Sequence, residues 1–263
     1  GYDSAPAYRG VCYMVFENLP LADYANRIPQ INVEVIRPIA EDDTLEGLAR
    51  SVTLIPGSGE YVYATQEIKQ SGSSGRTENV NSADGRADIL EALDQLQASA
   101  PNIESVSLVV SWFGNDLRVG ECEVRPGVET DDKRTNVRWE VDGLRRDAVM
   151  VISTDGNGRP VYGGTPADFS VIEAIQEMKA RGLRVTFYPF IMMDVVDGND
   201  LPDPYSDNAA TLGQPVFPWR GRITCSPAAG FAGTVDKTAA AADQVDAFFE
   251  REWGIRRMIL HYA

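Results

Sequence analysis

Three side chains that can act as acids or bases accompany apolar runs of the sequence. Asp116 and Asp194 each come just after a run with the composition of a buried strand, and His261, the one histidine of the chain, lies inside another. Each also has a structural interpretation, because aspartate shapes turns and a histidine in an apolar strand is commonly a satisfied core residue. We keep Asp116, Asp194 and His261 as candidate catalytic residues beside those alternatives.

Four further side chains are candidates for binding a substrate. Trp112, Phe113 and Trp219 lie at predicted strand ends or in a long loop, where flat rings can stack on the apolar faces of sugars. Arg220, with Arg222 close by, can bind the carboxylate of an acidic sugar through two parallel hydrogen bonds. The alternatives are that the rings pack the loop onto the domain and that the arginines anchor it through carbonyl and carboxylate groups.

Other motifs indicate no metal or cofactor site. Cys12, Cys122 and Cys225 are far apart, and no CxxC or Cys/His cluster is present to bind a metal. We expect free buried thiols. The stretch GNGRPVYGG lacks the spacing and the GK[ST] ending of a phosphate-binding loop, and no serine has a GxSxG motif around it. The sequence therefore predicts no cofactor and no metal.

The chain is acidic, with 39 Asp and Glu residues against 24 Lys and Arg residues and a formal charge of -15. Such a surface repels phosphate backbones, so nucleic acid is not an expected partner. No apolar run approaches the roughly 20 residues that span a bilayer, and the N-terminus has no basic region followed by an apolar one. We expect an ordinary folded protein without a membrane anchor.

Helix and strand patterns alternate from Asp88 onward. Apolar residues at helical spacing predict helices, continuous apolar runs predict buried strands, and Pro101 and Gly182 end two of the helices. The predicted strands are at residues 106–112, 148–153, 183–193 and 258–262, and the predicted helices are around residues 89–96, after Thr165 and at 234–253. The second helix is capped by Thr165 or Asp168, and one of its faces carries Val171, Ile172, Ile175 and Met178. The third helix is predicted to turn inward Val235, Ala239, Ala242, Val245 and Phe249.

Apolar strands separated by helices belong in a parallel sheet, either doubly wound or closed as a barrel. The long insertions at residues 114–146 and 194–233 both follow the C-terminal ends of strands, where TIM barrels place their sites. We therefore predict an α/β fold that is part of a TIM barrel, because four strands do not close one. Neither end of the sequence has a lead-in or a cap, and we expect more chain at both ends.

The organisation of the chain changes near residue 40. Residues 1–40 contain two extended segments, 11–16 and 31–36, and predict a β-rich segment. Residues 41–83 are a connecting segment, and the Gly/Ser/Asn-rich stretch at residues 69–86 predicts a flexible surface loop. Residues 84–263 form the N-terminal part of the predicted barrel.

This last region resembles the TIM-barrel-like domain of gene transfer agent tail proteins. The resemblance is carried, in order, by SVSLVVSWFGNDLRVGECEVRPGVE, STDGNGRPVYGGTPAD, GLRVTFYPFIMMDV, GNDLPDPY and QPVFPWRGRITCSP. The stretch AYRGVCYMVFENLPLADYANRIPQINVEV resembles the hub segment that precedes this barrel in the same large phage-type baseplate or host-specificity proteins, nicknamed megatron.

The resemblance implies a structural component of the tail tip or baseplate of a virion. Its N-terminal segment would contact other tail and baseplate proteins and form a homotrimer on the tail axis. Its barrel, which in that family is similar to glycoside hydrolases, would meet the host cell surface and a glycan there.

The alternative function is a glycoside hydrolase that degrades an envelope or capsule glycan when the barrel is complete. Such hydrolysis needs two carboxyl groups, about 5 to 5.5 Å apart for retention and about 6.5 to 9.5 Å apart for inversion. In the hydrolase barrels that the resemblance brings in, the acid follows strand four and the nucleophile lies on strand seven, after residue 263. We therefore expect this sequence to be inactive by itself, while activity of the full-length protein stays open.

Overall fold

The computed structural model describes residues 44–55, 59–72, 76–82, 84–217, 219–220 and 222–263, and for residues 219–220 it describes the backbone. The β-rich segment expected over residues 1–40 lies outside the described residues. The helices and strands in chain order are α1 (Leu45–Leu48), β1 (Ser51–Leu54), α2 (Asp88–Ser99), β2 (Ser105–Gly114), β3 (Val124–Arg125), β4 (Gly127–Val128), β5 (Glu140–Val141), β6 (Leu144–Arg145), β7 (Met150–Val151), α3 (Asp168–Ala180), β8 (Arg184–Met193), β9 (Trp219–Arg220), α4 (Ala239–Glu250) and α5 (Ile255–Tyr262).

A mainly parallel sheet lies at the centre of the described region. Strands β1, β2 and β8 lie side by side in chain order, and β2 pairs with β8 from Ser105 opposite Arg184 to Gly114 opposite Met193. Strands β3 and β9 add short antiparallel pairs at the C-terminal ends of β2 and β8. The predicted α/β class with a parallel sheet is confirmed, and the described strands do not close into a barrel.

Three helices cover one face of this sheet. Leu93 of α2 and Met178 of α3 are fully buried in one apolar cluster with Val106 of β2. Tyr262 of α5 stacks on Phe187 of β8, with 4.4 Å between the ring centroids. Full burial of a Leu, Met or Phe side chain stabilises the folded state by about 1.5 to 3 kcal/mol. The apolar spacing of α2 and α3 therefore positions both helices on the sheet.

The opposite face of the parallel strands is polar and partly exposed. Ser107 is half-buried, and Thr186 and Tyr188 are exposed. Apolar residues on this face are buried in the middle of β2, at Val109, and again at its C-terminal end, at Phe113. The arrangement differs from a doubly wound sheet, which carries helices on both faces.

The two helices predicted at residues 89–96 and after Thr165 are confirmed as α2 and α3. Gly182, with φ +80°, follows the end of α3 as predicted. The cap prediction is wrong, because Thr165 donates its hydroxyl to the Ser111 carbonyl at 2.9 Å and Asp168 binds other partners. Ile172, expected on the inner face, is 54% exposed.

The strand predicted over residues 148–153 is wrong in length and in place. Only Met150–Val151 forms a strand, and this β7 pairs with β4 in a small separate sheet. A 3-10 turn over Arg146–Ala148 precedes it, and the Arg146 side chain there reaches the buried carboxylate of Glu60.

The strand predicted over residues 258–262 is helical. Ile255, Met258 and Tyr262 recur at helical spacing and pack inward, whereas Ile259 and Leu260 are 42% and 65% exposed. Because four of the five residues at 258–262 are apolar or aromatic, the sequence alone did not reveal their helical period of 3.6 residues.

Helix α4 is shorter than the predicted helix and turned differently. It spans Ala239–Glu250 and buries Phe248, which joins Trp253 in the main core cluster. Val245 and Phe249, expected inward, are 39% and 41% exposed.

The helical form of residues 255–262 predicts different costs for two alanine substitutions. Met258→Ala should lower the free energy of unfolding by about 2 to 5 kcal/mol, because it empties a buried site. Leu260→Ala should change it by less than about 0.5 kcal/mol, because its side chain is mostly in solvent. Urea unfolding of both variants measures this difference. Equal losses would indicate a strand, in which residues 258 and 260 share a face.

Candidate functional site

The two aromatic residues that end β2 are buried on opposite sides of the strand. The Trp112 indole lies on the helix side and donates to the Tyr262 hydroxyl at 3.1 Å. The Phe113 ring packs on the other side against Tyr162, with 6.1 Å between ring centroids. Adjacent strand residues point to opposite faces, so the structure does not bring these rings together, and neither presents a face to a sugar.

Asp116 is held by neighbouring side chains. Its carboxylate is buried, pairs with the Arg118 guanidinium at 2.6 Å and accepts a hydrogen bond from the Gln214 amide at 2.7 Å. Gln214 in turn accepts the backbone N–H of Leu117 at 2.8 Å. These bonds tie the loop after β2 to the loop after β8, so Asp116 acts here as a structural residue.

Asp194 differs from Asp116 in its hydrogen bonding. It is 1% exposed, and its backbone N–H donates to the Gly114 carbonyl at 2.8 Å, next to the last pair of β2 and β8. Its Oδ2 accepts the backbone N–H of Ser153 at 3.0 Å, whereas the buried Oδ1 has no hydrogen-bond partner. An unsatisfied buried polar atom is uncommon in native proteins, and strain, a catalytic role, or a bound water or ion each accounts for such an atom. Of the three predicted acids and bases, Asp194 is the one with an unused buried oxygen.

His261 lies in the helical layer of the domain and not on a strand. Its Nε2 is 2.9 Å from Asp168 Oδ1, and its Nδ1 is 3.4 Å from Asp142 Oδ1. Asp142 also pairs with Arg257 of α5 at 2.6 Å. The ring therefore joins the end of α5 to the start of α3 and to the turn between β5 and β6, as a core histidine would.

Trp219 and Arg220 form strand β9. Their backbones pair with Met193 and Met192, which directly precede Asp194. The structure thus brings β9 and Asp194 to the same strand end. Asp116 and His261 are instead bonded to other side chains.

A buried charge network that sequence reasoning missed lies beyond these strand ends. Glu60 is fully buried, and its two carboxylate oxygens accept from the Arg146 guanidinium at 2.7 and 2.6 Å. The backbone N–H of Glu129 donates to the same carboxylate at 2.8 Å, and Lys133 Nζ lies 3.3 Å away. The network joins the segment after β1 to the loop after β2.

The cations of this network keep their charge. Burial alone lowers the pKa of Lys133, but the nearby carboxylates of Glu60, Glu129 and Glu78 outweigh it, and the pKa ends above its ordinary value. Burial likewise lowers the pKa of Arg146, and the hydrogen bonds and charge of Glu60 raise it above its usual range. Both side chains therefore remain protonated partners of the buried acid.

A cleft of about 470 Å³ lies over this network. Two signals could have found it in the sequence: five of the chain's cations fall between residues 133 and 146, and Asp-Gly is the preferred turn of a tight hairpin. Asp142 and Gly143 do form that turn, with φ of +54° and +71°, between β5 and β6. The lining residues are Tyr61, Ser71, Asp131, Asp132, Lys133, Arg134, Thr135, Arg138, Trp139, Arg145, Arg146 and Asp147.

Cysteine and metal chemistry receive no support in the described part of the chain. Cys122 and Cys225 are free, and burial raises the pKa of the Cys122 thiol to about 11, so it is protonated at neutral pH. Among the described residues, no group of three or more His, Cys, Asp or Glu side chains is placed to hold a metal ion. Within the same residues, no helix has the length and apolar character to cross a membrane.

No protein-family model matches the chain, and no curated protein matches it.

The Glu60 network predicts a large cost for removing one buried charge. Glu60→Gln should lower the free energy of unfolding by about 3 to 5 kcal/mol, because Arg146 would lose its charged partner inside the protein. The matched control is Glu104→Gln, whose ion pairs with Arg50 and Arg184 are exposed and contribute less than about 1 kcal/mol. Urea unfolding of both variants measures the difference, and equal small effects would contradict a structural role for the network.

Proposed function

We propose that the chain belongs to a structural component of the tail tip or baseplate of a phage or gene transfer agent particle. In this proposal residues 84–263 are the first part of a glycoside-hydrolase-like TIM barrel that meets the host cell surface. The protein would be located in the virion.

The main support for this proposal is the order and direction of the strands in the sheet. Strands β2 and β8 of residues 84–263 are parallel neighbours, β1 from the connecting segment lies parallel on the other side of β2, and α2, α3 and α5 pack on one face. A TIM barrel repeats this unit, a parallel strand followed by an outer helix, and places its functional loops after the C-terminal ends of the strands. The long loops after β2 and β8 leave from those ends, which supports the resemblance to the barrel of the tail proteins.

The proposed partners are other tail and baseplate proteins, with a homotrimer on the tail axis. Residues 1–40, which resemble the hub segment, would make these contacts. The formal charge of -15 favours protein and carbohydrate partners over nucleic acid.

The second candidate function is glycoside hydrolysis by the completed barrel. The observation that favours it is the buried Oδ1 of Asp194, which has no hydrogen-bond partner at the C-terminal end of β8. A desolvated carboxyl group at this place could transfer a proton to or from a substrate. A second carboxyl group would have to come from a later strand.

The structural proposal predicts that the protein is part of the assembled tail. An antibody raised against residues 84–263 should label the tail tip of purified particles in electron micrographs, and the full-length protein should purify as a trimer that binds other tail proteins. An antibody absorbed with the same residues is the control. A monomeric full-length protein that binds no tail component and is absent from particles would overturn the proposal.

The 263-residue chain is predicted to release no sugar from host envelope, because the hydrolase barrels brought in by the resemblance take their acid and nucleophile from positions after residue 263. Reducing-end assays on isolated envelope measure this, with Asp194→Asn as the matched variant because its shape is the same. Sugar release by the chain that is lost in Asp194→Asn, at an unchanged melting temperature, would overturn the prediction and favour the hydrolase.

A further inference from the structure

We propose that the cleft over the Glu60 network binds a neutral polyhydroxylated ligand, of the kind that one or two sugar rings present. The loop after β2 forms most of the cleft, and Tyr61 from the segment after β1 adds to it. Its volume of about 470 Å³ lies within the range of about 300 to 1,000 Å³ typical of ligand sites. The inference deepens the proposed host contact and rests on it for the source of the sugar.

The rim of the cleft carries equal numbers of uncommitted positive and negative groups. All of these side chains are exposed, and they form no ion pair or hydrogen bond with the described residues. The rim groups are the guanidinium groups of Arg134, Arg138 and Arg145 and the carboxylates of Asp131, Asp132 and Asp147.

This mixture selects a ligand by its hydrogen-bonding capacity. A guanidinium group only donates hydrogen bonds and a carboxylate only accepts them, whereas a hydroxyl group does both. A sugar can therefore use both sets at once. A phosphate or carboxylate ligand only accepts and would meet three aspartates, and an ammonium ligand only donates and would meet three arginines. Neutral hydroxyl groups satisfy the whole rim.

The positive groups on the floor of the cleft are already paired and offer no free charge to an anion. Lys133 pairs with the half-buried Glu129 at 2.6 Å, and Arg146 pairs with the fully buried Glu60 at 2.6 Å. The Tyr61 hydroxyl is bonded to Thr135 Oγ1 at 2.8 Å. A floor whose polar groups are already paired loses little conformational freedom when a ligand binds above it.

The site is distinct from the one predicted at the strand ends. The acidic-sugar clamp expected at Arg220 lies on β9, whereas the rim arginines belong to the loop after β2. The burial of Trp112 and Phe113 removes two of the predicted stacking surfaces. Recognition through polar groups of the cleft replaces recognition through those rings.

Isothermal titration of the purified 263-residue chain tests the inference. The probes are chitotetraose, cellotetraose and maltotetraose as neutral sugars, and tetragalacturonate and inorganic phosphate as anions. We expect at least one neutral sugar to bind, and we expect Arg138→Ala and Asp147→Ala each to weaken it by roughly fivefold or more, because each removes a hydrogen bond to a charged group. Arg184→Ala is the matched control, since this exposed arginine starts β8, away from the loop after β2.

The sign of the Asp147→Ala effect separates the ligand classes. In an anion site, loss of a carboxylate strengthens binding while Arg138→Ala weakens it, and that result would overturn the inference. Failure of all three neutral sugars to bind at millimolar concentration would also overturn it. Both measurements use the isolated chain, so they are independent of whether the protein is found at the tail tip.

Discussion

The fully buried carboxylate of Glu60 is shared by three segments at one end of the domain. It accepts hydrogen bonds from both terminal nitrogens of Arg146 and from the backbone of Glu129, and the Glu60 carbonyl accepts the N–H of Ala167 before α3. Gly164 lies so close that a Cβ there would stand 2.5 Å from Glu60 Cγ. Because a buried charge that loses its partner is strongly unfavourable, the segment after β1, the loop after β2 and the start of α3 are held as one unit.

Other polar contacts between distant residues connect further parts of the domain. Asp116, with Arg118 and Gln214, joins the loops after β2 and β8, and His261 joins α5 to Asp168. Loops with little apolar surface can be held in this way because buried polar groups must find partners. Many charged residues near the strand ends therefore pair with one another. The groups of the cleft rim are exposed and remain available to a ligand.

The sequence predicted those helices and strands in which apolar residues recur regularly over ten or more positions. Strands β2 and β8 and helices α2 and α3 follow from ten or more residues of sequence each, whereas a run of five residues before Ala263 was too short to separate a strand from a helix. The site depends on distant partners. Glu60 and Arg146 are 86 residues apart, and Asp116 and Gln214 are 98 residues apart. Of the predicted acids and bases Asp116, Asp194 and His261, Asp194 is the one whose carboxylate keeps an oxygen without a partner among the described residues.

Asp194 is buried, whereas the charged groups of the cleft rim are exposed to solvent. The backbone of Asp194 bonds to Gly114 beside the last pair of β2 and β8, so strand pairing holds the residue in place although its Oδ1 lacks a partner. Such a group costs on the order of 1 to 3 kcal/mol and persists when the surrounding structure over-determines it. The rim groups, by contrast, stay solvated and can exchange water for ligand hydroxyl groups at little cost to folding. On this domain, therefore, recognition by the rim and any chemistry at Asp194 belong to separate places and can be removed independently.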